Sequence, residues 1–278
     1  EMVGYVMVIY DYDIPEYDIW HMMIDKAYQG RGYGKAAMQR VRRDIYSGVV
    51  LERIVYTVGD RTQKPYRPRK PRFKTDEERA RFNSEVARRA HTRIINENFT
   101  PASLYSTLTQ DDEHEVHDFK DFRRLCVNFR RRLLYAYPEA KIVIYMGRGK
   151  NTHRIHAHML TDGVPEEAIR KQWTLGSVNR CEHLRAHIHY DGIDHGPDYT
   201  GLANYLFNHW TPEQGGHHYM ATRNLAPCGR EQTKPIKRNY TPAKPPHTPR
   251  DYILVESGAT EFGFTYFKYV KIPPKRRC

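Results

Sequence analysis

The stretch KIVIYMGRGKNTHRIHAHML, Lys141–Leu160, decides how the chain is read. Lys141–Met146 and Arg154–Leu160 are short apolar runs separated by GRGKNT, Gly147–Thr152, and glycines between two such runs predict a β-hairpin. In the second run His156 and His158 stand two residues apart, so a strand presents both imidazoles on one face. Ile155, Ala157 and Met159 alternate with them and face the core. Two imidazoles on one face can grip one metal ion, although a lone H-x-H pair fits a structural or surface role equally well.

Working outward, Leu104–Thr109 (LYSTLT) reads as a strand and Asp118–Tyr137 as a long amphipathic helix. Downstream, Pro165–Trp173 reads as a short helix, Arg185–Tyr190 as a strand and Tyr199–His209 as a helix. After Pro212 the chain is loop-rich and closes on an aromatic strand, Thr260–Lys271. The domain thus reads as alternating strands and helices. The helix around DYTGLANYLFNHW carries Tyr205. A tyrosine hydroxyl becomes an effective nucleophile toward a phosphate that a divalent metal polarises. Its alternative is plain packing with Leu202, Leu206 and Phe207. Tyr199 is the rival nucleophile, or a capping-region residue beside Asp198. His187 and His189 form a second H-x-H pair.

Lys and Arg outnumber Asp and Glu by 45 to 33, a formal charge of +12. Such an excess attracts polyanions, with nucleic acid first among them. The excess peaks between Arg61 and Arg93, where twelve basic residues meet four acidic ones. Pro65, Pro68 and Pro71 exclude regular structure from Thr62 to Thr75, which predicts a linker or extended arm. Thr75 and Glu78 stand at capping-box spacing before the polar, basic helix DEERARFNSEVARRAHTRIIN, which could lie on DNA. The four cysteines form no C-x-x-C pair, which argues against a zinc ribbon or a disulfide framework and for a reducing compartment. No apolar run is long enough to cross a bilayer and no secretory signal opens the chain, so the expectation is a soluble, cytoplasmic protein with no membrane partner.

The chain opens on Glu1, not Met, which suggests a reading frame that extends upstream. Val3–Asp11 and Ile19–Asp25 read as strands. A glycine-rich turn follows within Ala27–Val41, and its Ala, Met, Gln and Arg favour a helix.

Taken in order, LYSTLT, then RIHAHM, then GLANYLFNHW resembles the HUH endonucleases, specifically the rolling-circle replication-associated proteins of plasmids and single-stranded DNA phages. The resemblance covers about residues 95–215. It implies an α+β fold, a ferredoxin-like antiparallel sheet with flanking helices, and a Mg²⁺ or Mn²⁺ ion. It also implies a tyrosine that cuts one strand at an origin, keeping the 5′-phosphate and leaving a 3′-OH. His156 and His158 match the metal histidines, Tyr205 the nucleophile and Thr107–Thr109 the first motif. The implied partners are single-stranded or origin DNA and a host helicase and polymerase. This chain departs from the pattern twice. Asn208 and His209 stand where relatives carry a lysine after the tyrosine, and His209 is the candidate substitute. The strand before the histidines also lacks a carboxylate, leaving Glu115, Asp111 and Glu113 as candidate third ligands. Arg67, Arg69, Lys70, Arg148, Lys150 and Arg154 are the candidate DNA contacts.

The N-terminal segment has a different likeness. EYDIWHMMIDKAYQGRGYG resembles the acetyl-CoA loop of the GNAT acetyltransferases, the polyamine or diamine branch in particular, with Gln29, Gly30, Arg31, Gly32 and Gly34 as the cofactor-binding residues. The likeness stops near Met38, which implies a truncated β-loop-α fragment joined to a replication protein whose natural start lies near that methionine. The expected organisation is therefore a GNAT fragment (1–38), a basic linker and helix (39–98), a replication endonuclease domain (99–215) and a loop-rich extension with a terminal strand (216–278). Three functions compete: a metal-dependent nicking enzyme, an acetyltransferase, and a DNA-binding protein without catalysis.

Overall fold

Residues 142–146 and 155–160 alternate between two faces of a sheet, and Ile155, Ala157 and Met159 face the core as their sequence predicts. The computed structural model describes residues 4–11, 16–31, 38–59, 75–149, 152–186, 188–190, 193–215, 217–259 and 264–272. In chain order its elements are β1 (Gly4–Asp11), β2 (Glu16–Ile24), β3 (Met38–Ser47), β4 (Val50–Gly59), α1 (Asp76–Asn98), β5 (Leu104–Leu108) and α2 (Phe119–Ala136). There follow β6 (Lys141–Arg148), β7 (Ile155–Asp162), α3 (Glu166–Gln172), β8 (Val178–His183), β9 (Ile188–Tyr190), β10 (Ile193–His195) and α4 (Thr200–Phe207). The last are β11 (Met220–Ala221), β12 (Arg230–Ile236), β13 (Tyr252–Ala259) and β14 (Thr265–Lys271). The architecture is α+β, and no helix among the described residues is long and apolar enough to cross a membrane.

The chain divides into two units. The larger comprises Ser47–Val50, Thr75–Gly229 and Ile272–Cys278. Its antiparallel sheet has the order β11-β6-β7-β5-β8, which makes β7, the histidine strand, the central one. One face carries Ile142, Ile144, Met146, Ile155, Ala157 and Met159 against Phe122, Phe129 and Leu133 of α2. The other carries Val143, Tyr145, Leu160 and Tyr105 against Ile95, Ala203 and Leu206 of α1 and α4. Each such apolar side chain contributes about 1.5–3 kcal/mol on burial, so the alternation fixes which way the histidines point. Asp118 starts α2 by accepting from the backbone N–H groups of Lys120 and Asp121 at 3.0 and 3.3 Å.

The basic helix α1 is a structural clamp along its C-terminal half. His91, Ile95, Asn96 and Asn98 are buried there. Arg88 donates to Asn204 at 3.1 Å, Asn96 to Thr200 at 3.4 Å, and His91 Nε2 lies 2.6 Å from the Tyr145 hydroxyl. These bonds fasten α4 across the sheet.

The smaller unit comprises Glu1–Tyr46, Leu51–Lys74 and Arg230–Lys271. β1 and β2, both expected as strands, form an antiparallel pair. A five-stranded sheet of order β12-β3-β4-β14-β13 packs Leu51, Val55, Phe267 and Tyr269 into its core. Inside it Arg53 donates to both oxygens of Asp44, at 2.8 and 3.2 Å, with its guanidinium 5.3 Å from the Tyr269 ring centroid.

Several expectations give way here. The helix expected to run on to Val41 is replaced from Met38 by β3, because the ladder from Arg40↔Ile236 to Tyr46↔Arg230 outweighs local helix preference. For the same reason 38–59 is a strand pair, not a linker. The extension after Pro212 contributes β11 to one sheet and β12, β13 and β14 to the other, so it is less loop-rich than expected. Strand β8 is an addition to the sequence reading, and the strand expected at Arg185–Tyr190 shrinks to Ile188–Tyr190 paired with β10. The arm from Thr62 to Lys74 and the side chain of Glu78 lie outside the described residues.

Candidate metal centre and nucleophile

β7 and the end of α4 bring three imidazoles together. His156, His158 and His209 have ligand nitrogens all within 4.8 Å of one another. His209 follows α4 directly, and its Nδ1 donates to the carbonyl of Tyr205 at 2.9 Å, which leaves Nε2 as its ligand atom. His158 is 6 % exposed, with Nδ1 2.7 Å from the Tyr105 hydroxyl and 3.3 Å from the Thr107 hydroxyl. A proton on that Nδ1, donated to Tyr105, likewise frees Nε2. The Nε2 atoms of His156 and His158 then face each other at 3.2 Å. A proton on one of them makes this an N–H···N bond; with none on either, the two lone pairs suit a shared cation, since nitrogens bound ~2.1 Å from one ion stand roughly 3–3.4 Å apart.

Burial adds to this. It lowers the pKa of His156 and lowers that of His158 to about 3, with the neighbouring imidazoles contributing in the same direction. Both rings are therefore neutral at pH 7, the state that a metal needs. A glycine makes the space: Gly147 lies opposite His156, and a Cβ on it would meet His209 Cδ2 at 2.9 Å and His156 Nε2 at 3.3 Å. Gln214 holds the far side, donating to the carbonyls of Met146 and His209 at 3.0 and 2.9 Å.

Tyr205 borders the trio. Its ring centroid is 4.4 Å from that of His209 and 5.9 Å from that of His158, and it is 52 % exposed. Tyr199 is its opposite. It is 4 % exposed, donates its hydroxyl to the Arg185 carbonyl at 3.1 Å, and burial pushes its phenol up to about 12. It anchors the start of α4 and has no path to a substrate.

Other sequence candidates fall elsewhere. Glu115 is outside the trio, and its carboxylate is held by Arg154 at 3.0 Å and by His117 at 3.5 Å. Arg154 also pairs with Asp112. Arg148 donates to the carbonyls of His153 and His117 at 2.9 and 3.3 Å and lies 3.5 Å from Glu213. Both arginines thus brace the loops around the hairpin. Arg67, Arg69, Lys70, Lys150 and His187 lie outside the described residues, as does the side chain of His189. Tyr105, Gly147 and Gln214 escaped the sequence reading. The signal for Tyr105 was its place two residues before Thr107, on the same strand face.

Comparison with known proteins speaks to the other end of the chain. Residues 1–60 match the family model of the GNAT acetyltransferases. No curated protein matches, and no solved structure does. The matched segment is 60 of 278 residues, and it includes β3 and β4 of the smaller unit.

The GNAT family uses acetyl-CoA, and a pyrophosphate cradle needs backbone N–H groups at the start of a helix. Gln29, Gly30 and Arg31 follow a 3₁₀ turn at Lys26–Tyr28, with Gly30 at φ 77° and the Arg31 guanidinium 5.4 Å from the Tyr28 ring centroid. Gly32 and Gly34 lie outside the described residues, and at Met38 the chain is already a strand. Residues 32–37, where such a helix would begin, lie outside the described residues.

Proposed function

We propose that the larger unit is a metal-dependent enzyme that nicks single-stranded DNA, with Tyr205 as nucleophile. The observation that carries this reading is the convergence of an exposed tyrosine with three imidazoles, two on a central strand and one just past the tyrosine's own helix. The order β5-α2-β6-β7-α3-β8, with strands arranged β6-β7-β5-β8, is that of a ferredoxin-like sheet and supports the likeness to the HUH replication proteins. The net charge of +12 supports a polyanionic substrate.

The donor set refines the metal. Three nitrogens suit Mn²⁺ or a later divalent ion better than Mg²⁺, which prefers oxygen. Such an ion would draw charge from the scissile phosphate and lower the barrier to attack. Tyr205 Oη forms a bond to phosphorus as the bond from phosphorus to the 3′-oxygen breaks. The phenolic proton leaves to water, which Tyr205 meets directly, and the 3′-oxygen departs as the hydroxyl after taking a proton from solvent. The product is a 5′-phosphotyrosine link and a free 3′-OH able to prime synthesis. His209 serves here as a ligand and not as the stand-in for a lysine. Acetyl transfer is not part of this proposal, since the match to the acetyltransferase family covers residues 1–60 only.

The test is an SDS-resistant protein–DNA adduct formed on single-stranded oligonucleotides with Mn²⁺. Wild type should form it. Tyr205→Phe, His156→Ala and EDTA should each abolish it, whereas an adduct that survives Tyr205→Phe would refute the assignment of the nucleophile.

A further inference from the structure

We infer that Arg180, on the edge strand β8, is the cation that grips the scissile phosphate opposite the histidine centre. The inference rests on the nicking reading and supplies what α4 lacks: Leu206, Phe207, Asn208 and His209 follow Tyr205, and none is a lysine or arginine.

The sheet register sets the geometry. Arg180 lies opposite Thr107, and Thr107 lies opposite His158, so the three form one row across β8, β5 and β7. Residues in one such row project from the same face, and two strand spacings put Arg180 and His158 about 10 Å apart at Cα. A phosphate lying between a metal at His158 and the guanidinium fills that span. Tyr105 joins the two ends from the next row. Its hydroxyl is 2.7 Å from His158 Nδ1, its ring stacks at 17° on the His158 ring, and the Arg180 guanidinium carbon is 5.3 Å from its centroid. One aromatic ring therefore orients both a metal ligand and the arginine.

Arg180 is also available. Its side chain is 56 % exposed, and its acidic partner Glu182 is 51 % exposed. An exposed pair of this kind is worth little, so a phosphate that accepts two parallel N–H bonds can displace it. The guanidinium is held above its ordinary pKa chiefly by Glu182, with Tyr105 and Tyr205 acting in the same direction, which sets the nucleophile within electrostatic reach. In the reaction Arg180 donates N–H bonds to the two non-bridging oxygens and offsets the charge that builds on them in the transition state. It exchanges no proton and forms no covalent bond.

Three measurements on the full chain decide this: the single-turnover rate of adduct formation, Mn²⁺ affinity by EPR titration, and the salt dependence of oligonucleotide binding in a Tyr205→Phe background. Arg180→Ala should slow adduct formation ~10²–10³-fold, leave Mn²⁺ affinity within about threefold of wild type, and flatten the log–log salt slope by about 0.7. Arg180→Lys should restore part of the rate and all of the slope. An Arg180→Ala rate within threefold of wild type, or an unchanged slope, overturns the inference. A rate that falls only in step with Mn²⁺ affinity overturns it too, because Arg180 would then merely position His158 through Tyr105. If wild type binds Mn²⁺ and DNA but forms no adduct, the nicking reading itself fails, and this inference with it.

Discussion

The two sheets bury polar groups in opposite ways. In the smaller unit Asp44 and Arg53 are 2 % and 5 % exposed and satisfy each other, with Arg42 adding a contact to Asp44 at 2.9 Å. In the larger unit the ligand nitrogens of three imidazoles lie within 4.8 Å of one another, and the Nε2 atoms of His156 and His158 are 3.2 Å apart. A buried charge that has its partner holds a fold together; imidazole nitrogens gathered in this way offer ligands to a cation. The first arrangement is complete without a ligand, whereas the second has a donor set that could take one up.

This contrast can be broken most severely at the closed pair. Asp44→Ala leaves Arg53 buried without its counter-charge, a change that costs about 3–5 kcal/mol. Urea unfolding should show that loss whether or not Mn²⁺ is present, whereas His156→Ala should chiefly remove the stabilisation that Mn²⁺ gives. An Asp44→Ala protein within 1 kcal/mol of wild type, on the scale of an exposed pair, would mean that the pair is not sealed from water.

Acid should sharpen the same contrast. His91, 1 % exposed beside Tyr145, is lowered to about 4 by burial, with His218 adding to the effect. Between that value and 6.5 the unfolded chain takes up a proton that the folded chain refuses. Its contribution is therefore fully present above pH 6.5 and is lost as the pH falls to 4, about 3 kcal/mol in all. His158, lowered further, acts in the same direction. Comparing wild type with His91→Gln at pH 7, 5.5 and 4 isolates the His91 share, and parallel pH profiles for the two proteins would remove it.

How much of this was legible in the sequence follows from the same physics. β5, α2, β6, β7 and α4 carry clean apolar periodicities, and each was read within a few residues of its bounds. β3 reads MQRVRRDIYS because its interior holds a charged pair, and β12 reads REQTKPI because nearly all of it faces water, so neither carries an alternating apolar signal. Their pairing also joins positions 188 residues apart, as at Arg43 and Glu231, which no local window contains. At the site, His156 and His158 were legible from strand parity and Tyr205 from its helix. That His209 joins them was not, because four residues beyond a tyrosine it could as well have faced solvent. Only the turn closed by its bond to the Tyr205 carbonyl aims it at the strand.

The smallest expected effect bears on the open arrangement most directly. Tyr105→Phe keeps the ring that stacks on His158 and lies beneath Arg180, and removes only the hydroxyl 2.7 Å from His158 Nδ1. Thr107, at 3.3 Å, remains as a weaker partner for that nitrogen. If the hydroxyl fixes the ring and its tautomer for a metal, the change should weaken Mn²⁺ binding by about 10-fold, the low end for loss of a group that orients a metal-bound histidine. Thr107→Val should do less, and the double variant more than either. The fold should barely respond, because Phe fills the same volume. Unchanged Mn²⁺ affinity in Tyr105→Phe would mean that His158 is held by packing alone, and the two nitrogens at 3.2 Å would then mark an N–H···N bond in a crowded core and not an open site.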